Sequence, residues 1–233
     1  MALVFGVTPG ARGGMALASL FWQGKPPASL IVTASVGTID EALGRIVGTT
    51  GEWGELNAVA IAAPLTWAGT PKGTRPVDVE LRHRLPKWAP RSWVRPPLAL
   101  PSPIVVQGIA LTWALASEIR HEQLPKHAVV ECHPRLTLAR LWPDAAEVIR
   151  GYAGKGPNIE GWVDRLVSSF TDSGLVRLEA DRPKTPIELE ALVAAVTALA
   201  VAVPDTGLVV HELQGGEVRP VGKRPVVVLE ALP

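Results

Sequence analysis

A single cysteine, Cys132, stands among 233 residues, so the chain has neither an intrachain disulfide framework nor a Cys-rich zinc site. An excess of one charge is missing too. Lys plus Arg total 23 against 22 Asp plus Glu, a formal net charge of +1, which argues against a uniformly basic nucleic-acid coat and leaves room for a local basic patch. The longest strongly apolar stretch, 191–203, falls well short of the ~20 residues that a membrane span needs. The opening MALVFGVTPG has no basic leader and reads as a strand rather than a signal peptide. These absences lead us to expect a soluble, cytoplasmic protein with no membrane contact. Asn occurs twice, Gln four times and Met twice; the 22 prolines are about twice the usual ~5% share, a pattern that fits a thermophile or a GC-rich genome.

Apolar residues make up 47% of the chain and charged ones 19%, enough to build a sizeable core, and the length suits one large domain over 1–233. Leu3–Val7, Met15–Trp22 and Ser29–Val36 read as three strands separated by turns, a meander. Thr38 with Glu41 three residues on forms a helix-start signature, and Gly48 and Gly51 are expected to end that helix. Asn57–Ala63 and Ala128–Cys132 are almost wholly apolar, as in strands covered on both faces. Helices are expected over Pro103–His121, Leu136–Leu141, Ile159–Phe170 and Ile187–Val203, with terminal strands at Leu208–Glu212 and Val226–Leu229.

Residues 66–102 read differently. Prolines at 71, 76, 86, 90, 96, 97 and 101 exclude long regular elements, and 71–97 carries seven Lys or Arg against two acids, interleaved with Trp88 and Trp93 after Trp67. This is the pattern of an insertion or binding loop. A meander followed by helix-separated buried strands predicts a mixed sheet with helices on both faces, the element order of a ribonuclease H-like α/β fold, with an ordinary doubly wound α/β sheet as the alternative.

Five strings, FGVTPG at 5–10, AVAIAAPL at 58–65, RPVDVELR at 75–82, VVECHP at 129–134 and ELEALVAAVTA at 188–198, together resemble the domain of unknown function 429 family, described as predicted RNase H-like nucleases. The resemblance implies an acidic site. Its parts are an Asp after the first strand's Gly, an Asp before Ala-Pro, a Glu in a Glu-x-x-Pro strand and an Asp opening the late helix. Such a site would hold Mg²⁺ or Mn²⁺, because two-metal phosphodiester hydrolysis needs clustered carboxylates that keep two cations about 3.5–4 Å apart. Here Thr8 and Ala62 stand at the first two positions, Glu131 at the third, and Glu190 replaces the fourth. No Asp or Glu occurs in 3–14 or 57–70.

The expected catalytic residues are therefore Glu131, Glu190 and Asp78, with Glu131 and Glu190 as metal ligands. Arg75, Arg82, His133 and Thr8 are the expected substrate contacts. Arginines at 75, 82 and 84 could grip phosphates while Trp88 or Trp93 stacks on a base. Period 2 sets Glu131 and His133 on one face of their strand and Cys132, read as a small buried hydrophobe, on the other. Glu188 and Glu190 point about 200° apart on a helix, so both cannot serve one metal. The glycine loop at Lys155-Gly156-Pro157 lacks the spacing of a P-loop.

Two functional readings remain from the sequence. One is a metal-dependent nuclease or phosphodiesterase with a degenerate site, in which Glu131 and Glu190 come close enough to share a cation. The other is a catalytically silent binding module for nucleic acid, a nucleotide or a protein partner, whose pocket is apolar or filled by an arginine side chain. Both require the basic loop to lie beside Glu131. Exposed tryptophans could also mark a dimer contact, and composition leaves the oligomeric state open.

Overall fold

The computed structural model describes residues 1–66, 73–118, 129–154, 156–178, 182–214, 217–218, 222–223 and 226–231. Trp67, Pro71, Ala128, Lys155 and the expected helix end at 119–121 lie outside them. Strands β1 (Ala2–Pro9), β2 (Met15–Trp22) and β3 (Ala28–Val36) form the expected antiparallel meander, Val7 facing Leu17 and Leu17 facing Ala34. Helix α1 (Ile39–Trp53) starts at Thr38, whose Oγ1 accepts from the Glu41 amide at 3.1 Å.

The helix runs through Gly48 and Gly51 instead of ending there, and stops at Gly54, where φ is 114°. Each interior glycine costs only about 1 kcal/mol relative to alanine, while Ala42 and Ile46 are anchored in the core. Termination therefore waits for the position where the backbone turns left-handed.

Next come β4 (Leu56–Ile61), α2 (Pro76–Arg84), two single 3₁₀ turns, and α3 (Ser102–Glu118). They are followed by β5 (Val129–Cys132), α4 (Pro134–Leu141), α5 (Ala146–Ala153) and α6 (Ile159–Asp172). The chain continues with β6 (Val176–Leu178), α7 (Pro186–Ala202), β7 (Leu208–Leu213), the small hairpin β8 (Glu217–Val218) with β9 (Gly222–Lys223), and β10 (Val226–Ala231). Part of the proline-rich segment is thus helical: Pro76 sits at the first position of α2, where its fixed φ suits a helix and its missing N–H leaves nothing unpaired. Pro134 does the same for α4.

Eight strands join in the order β6-β3-β2-β1-β4-β5-β10-β7, with β4 parallel to β1, β5 parallel to β4, and β10 parallel to β5. Helices cover both faces. One face of β1, through Ala2 and Val4, shares a core with α7 and α6 and with Val130 and Cys132 of β5. The other, through Leu3, Phe5 and Val7, packs on α1 and α3 together with Val129. Helix α7 is buried at eleven positions between Leu189 and Ala200, the mark of a helix covered on all sides. It approaches β1 so closely that a Cβ on Gly6 would lie 2.1 Å from both the Ala191 carbonyl and the Ala195 amide nitrogen. A mixed α/β sheet with helices on both faces is the architecture that the element order predicts.

Candidate functional site

Glu131 is next to last in β5 and points away from α7, on the face of Val129. Above that face sits α2, held by Val77 and Leu81 against Val226 and Val228 of β10. Arg75, immediately before α2, therefore reaches down onto Glu131. Its Nη1 donates to Glu131 Oε2 at 2.7 Å and its Nη2 to Glu131 Oε1 at 2.6 Å. Its Nε and Nη2 donate to Asp78 Oδ1 at 3.0 and 2.7 Å, and Nη1 also donates to Thr66 Oγ1 at 3.3 Å. All five guanidinium N–H groups have an acceptor. The Arg75 backbone amide donates to Asp78 Oδ2 at 2.8 Å, which pins the start of the helix and sets an acid where the helix dipole favours one.

Glu131 is equally committed. Besides Arg75, its Oε2 accepts from the Leu65 amide at 2.9 Å, and His133 Nε2 lies 3.2 Å from its Oε1. Four partners meet the four lone-pair positions of the carboxylate. Arg75 is 4% exposed, Asp78 0% and Glu131 2%. Burial alone would raise the Glu131 carboxyl, but the charge and hydrogen bonds of Arg75, with a smaller contribution from His133, hold it at about 2. For Arg75, desolvation pulls downward and is outweighed by Glu131 and Asp78, so the guanidinium stays charged.

Glu190 lies elsewhere. It stands in α7, on the Cys132 side of the sheet, whereas Glu131 is on the opposite face. It borders a cleft of about 640 Å³ at the carboxyl ends of β1, β4 and β5, which Thr8, Ala62, His133 and Trp93 also line. Arg135, in the first turn of α4, donates through Nε to Glu190 Oε1 at 3.2 Å. Burial raises the Glu190 carboxyl, and Arg135 opposes that rise. The Tyr152 hydroxyl close by is buried and pushed well above its ordinary value by that burial and then by the Glu190 charge. Burial, followed by Glu131 and Glu190, raises the Cys132 thiol as well.

All the expected site residues but Arg82 thus fall into two groups. Arg75, Asp78 and Glu131 come together beneath α2, while Thr8 and Glu190 face the cleft. His133 belongs to both, bonding Glu131 while lining the cleft. Arg82 is separate, donating through Nε to the Val94 carbonyl at 3.0 Å and tying α2 to the loop that follows. Trp88 packs edge-to-face with Trp93, ring centroids 5.7 Å apart, and receives Arg150 on its own face.

Arg95, at the end of the basic loop, lines the cleft, and so does Arg135, which was not among the expected site residues. Arg135 carried a legible signal. A cation in the first turn of a helix opposes the dipole and calls for an acidic partner.

A pair of divalent ions does not fit the residues present. Every Glu131 acceptor position is taken, Asp78 Oδ1 receives two guanidinium bonds, Ala62 offers no ligand, and Glu190 is across the sheet. Among the described residues, no group of three or more His, Cys, Asp or Glu side chains could hold a metal ion, and no helix is long and apolar enough to cross a membrane.

No family model matches the chain. No curated protein matches it either. Solved structures similar to it include two of one protein. Against T. thermophilus RuvC in complex with Holliday junction substrate, identity is 14%, with 84% of this chain and 92% of that chain covered, at a TM-score of 0.43. Against a second Thermus thermophilus RuvC structure, identity is 13%, with 86% and 95% covered, at a TM-score of 0.43.

Proposed function

We propose that this protein is a ribonuclease H-like binding module, a divergent relative of the domain of unknown function 429 proteins. It takes a phosphate-bearing ligand, a nucleotide or a nucleic-acid backbone, in the cleft and does not hydrolyse it. The observation that carries this reading is the sign of the cleft's charge. Among the described residues that line it, Glu190 is the one carboxylate and is already engaged by Arg135, while Arg95, Arg135 and His133 supply basic groups. A two-metal hydrolase needs the opposite, several carboxylates drawing in cations.

Three further features favour a ligand that carries a phosphate and a base. Helix α4 starts at the cleft, which Pro134 and Arg135 line, without a side-chain cap, so its positive dipole end borders that space. Thr8 Oγ1, 3% exposed in its residue and with no hydrogen-bond partner among the described residues, borders the same space. Trp93 stands in the wall as a surface on which a base can stack.

The test is titration of the protein with a mononucleotide and with labelled single- and double-stranded DNA and RNA at low and high salt, beside cleavage assays in Mg²⁺ or Mn²⁺. The expected result is salt-weakened binding without cleavage, with affinity lowered about tenfold or more by Arg135→Gln, the loss of a charge-assisted hydrogen bond. Metal-dependent cleavage that disappears in Glu131→Gln would refute the reading in favour of a nuclease. Absence of binding to every one of these ligands would refute it outright.

A further inference from the structure

The misfit between the buried acids and a metal has its own explanation. Asp78 Oδ1 and Glu131 Oε1 converge on one atom, Arg75 Nη2, at 2.7 and 2.6 Å. Carboxylate oxygens from two different elements aimed at a single buried point are the arrangement by which proteins hold a hard cation. Two buried carboxylates that close also cannot both stay ionised unless a positive charge lies between them.

We propose that Arg75 is the resident cation of this carboxylate pair. Its guanidinium holds, through a covalent tether, the place a divalent ion would take, and the chain without it takes a divalent cation between Asp78 and Glu131. The tether is short and rigid, because the Arg75 amide is itself bonded to Asp78 Oδ2 at 2.8 Å. Guanidinium is permanently charged and its five donors are all matched, so the site is filled in every ionic condition and owes nothing to metal supply. Thr66 Oγ1, 3.3 Å from Nη1, lies at the rim as a further oxygen.

This inference concerns the cluster beneath α2 and is independent of what the cleft binds. A failure here leaves the anion-binding reading standing, and a failure of nucleotide or nucleic-acid binding leaves this one standing.

The experiment compares thermal unfolding of the full chain and of Arg75→Ala in EDTA, in 1 mM-scale Mn²⁺ and in low guanidinium chloride. The native chain is expected to show the same Tm in EDTA and Mn²⁺. Arg75→Ala is expected to melt lower and to regain about 5 °C with Mn²⁺, the size of shift a ligand well above its Kd produces in a chain of this length. Free guanidinium at low concentration should restore part of the loss. Adding Glu131→Gln to Arg75→Ala should abolish the Mn²⁺ response.

The proposal is overturned if Mn²⁺ stabilises the native chain in a way that Asp78→Asn removes, or if Arg75→Ala folds and ignores Mn²⁺. Should Arg75→Ala not fold, Arg75→Gln, which keeps a donor without the charge, carries the same comparison. If neither variant folds with Mn²⁺ present, the proposal is equally overturned, because the metal was to take the guanidinium's place.

Discussion

Replacing Glu131 by glutamine keeps the shape of the side chain and removes one acceptor. The four donors around it are Arg75 Nη1, Arg75 Nη2, the Leu65 amide and His133 Nε2. Whichever way the new amide turns, its NH₂ group faces one Arg75 nitrogen and one further donor. The cost follows from two independent routes. Breaking a buried ion pair by removing one partner costs about 3–5 kcal/mol. The depression of the Glu131 carboxyl from 4.5 to about 2 corresponds to about 3 kcal/mol of native-state preference for the ionised form. A chain of this length loses roughly 2–4 °C of Tm per kcal/mol, so Glu131→Gln should melt about 6–20 °C lower.

The sign of the pH dependence is fixed as well. A carboxyl whose folded value lies below its unfolded one stabilises fully above the unfolded value and loses that contribution as pH falls through the folded one. The native chain should therefore lose stability between about pH 4.5 and about pH 2, and the variant should lose less over the same interval. Calorimetry across that range, with Glu80→Gln as control, is the assay. Glu80 is half exposed and bonds Arg84 at 2.9 Å, so its loss should change stability by less than about 1 kcal/mol. A Glu131→Gln Tm within a degree or two of native, or an unchanged acid limb, would refute the account of the buried cluster.

Other perturbations test the frame around the cluster. Gly6→Ala drives a methyl into the α7 backbone, which cannot yield as a flexible side chain would, and should cost at least about 3 kcal/mol in urea unfolding. Thr185→Ala removes the hydroxyl that accepts from Glu188 N at the start of α7 and should cost about 1 kcal/mol by the same measurement. Cys132, buried with its thiol raised, should stay unmodified by a thiol reagent in the native protein and react fully in denaturant.

Local rules carried most of the architecture. The meander was legible because its apolar runs end in turn residues, and α7 because Pro186 and Pro204 bracket an unbroken apolar helix pattern. Glycine misled at Gly48 and Gly51, where burial of the neighbouring turns outweighs propensity. The three-residue β6 is too short to show a period, and neither it nor α5 was among the expected elements. Proline was informative in a different way from the one expected, since Pro76 and Pro134 start helices as well as interrupt what precedes them.

The site was harder to read. Strand parity led us to expect Glu131 and His133 on one face of a strand; β5 ends at Cys132, so His133 is the residue before α4, and its Nε2 lies 3.2 Å from Glu131 Oε1. The pairing of Arg75 with Glu131 spans 56 positions, and nothing local encodes it. That Glu190 lies on the other side of the sheet follows from the route of the chain, which composition and spacing do not specify.

The order in which the strands lie has a consequence for biosynthesis. Strand β10 is the last described element of the chain, yet it occupies an interior position, between β5 and β7. Helix α7, which covers β1 and β2, begins only at Pro186. A nascent chain therefore makes the β1–β2–β3 ribbon first of these elements and carries it with one apolar face bare until α7 is made. The edge of β5 stays open until the final strand arrives. Long-range closure of this kind folds slowly and exposes pairing edges meanwhile. During synthesis, this protein should depend on chaperone shielding more than a helical protein of equal size, and carboxy-terminal truncations should aggregate rather than fold in part.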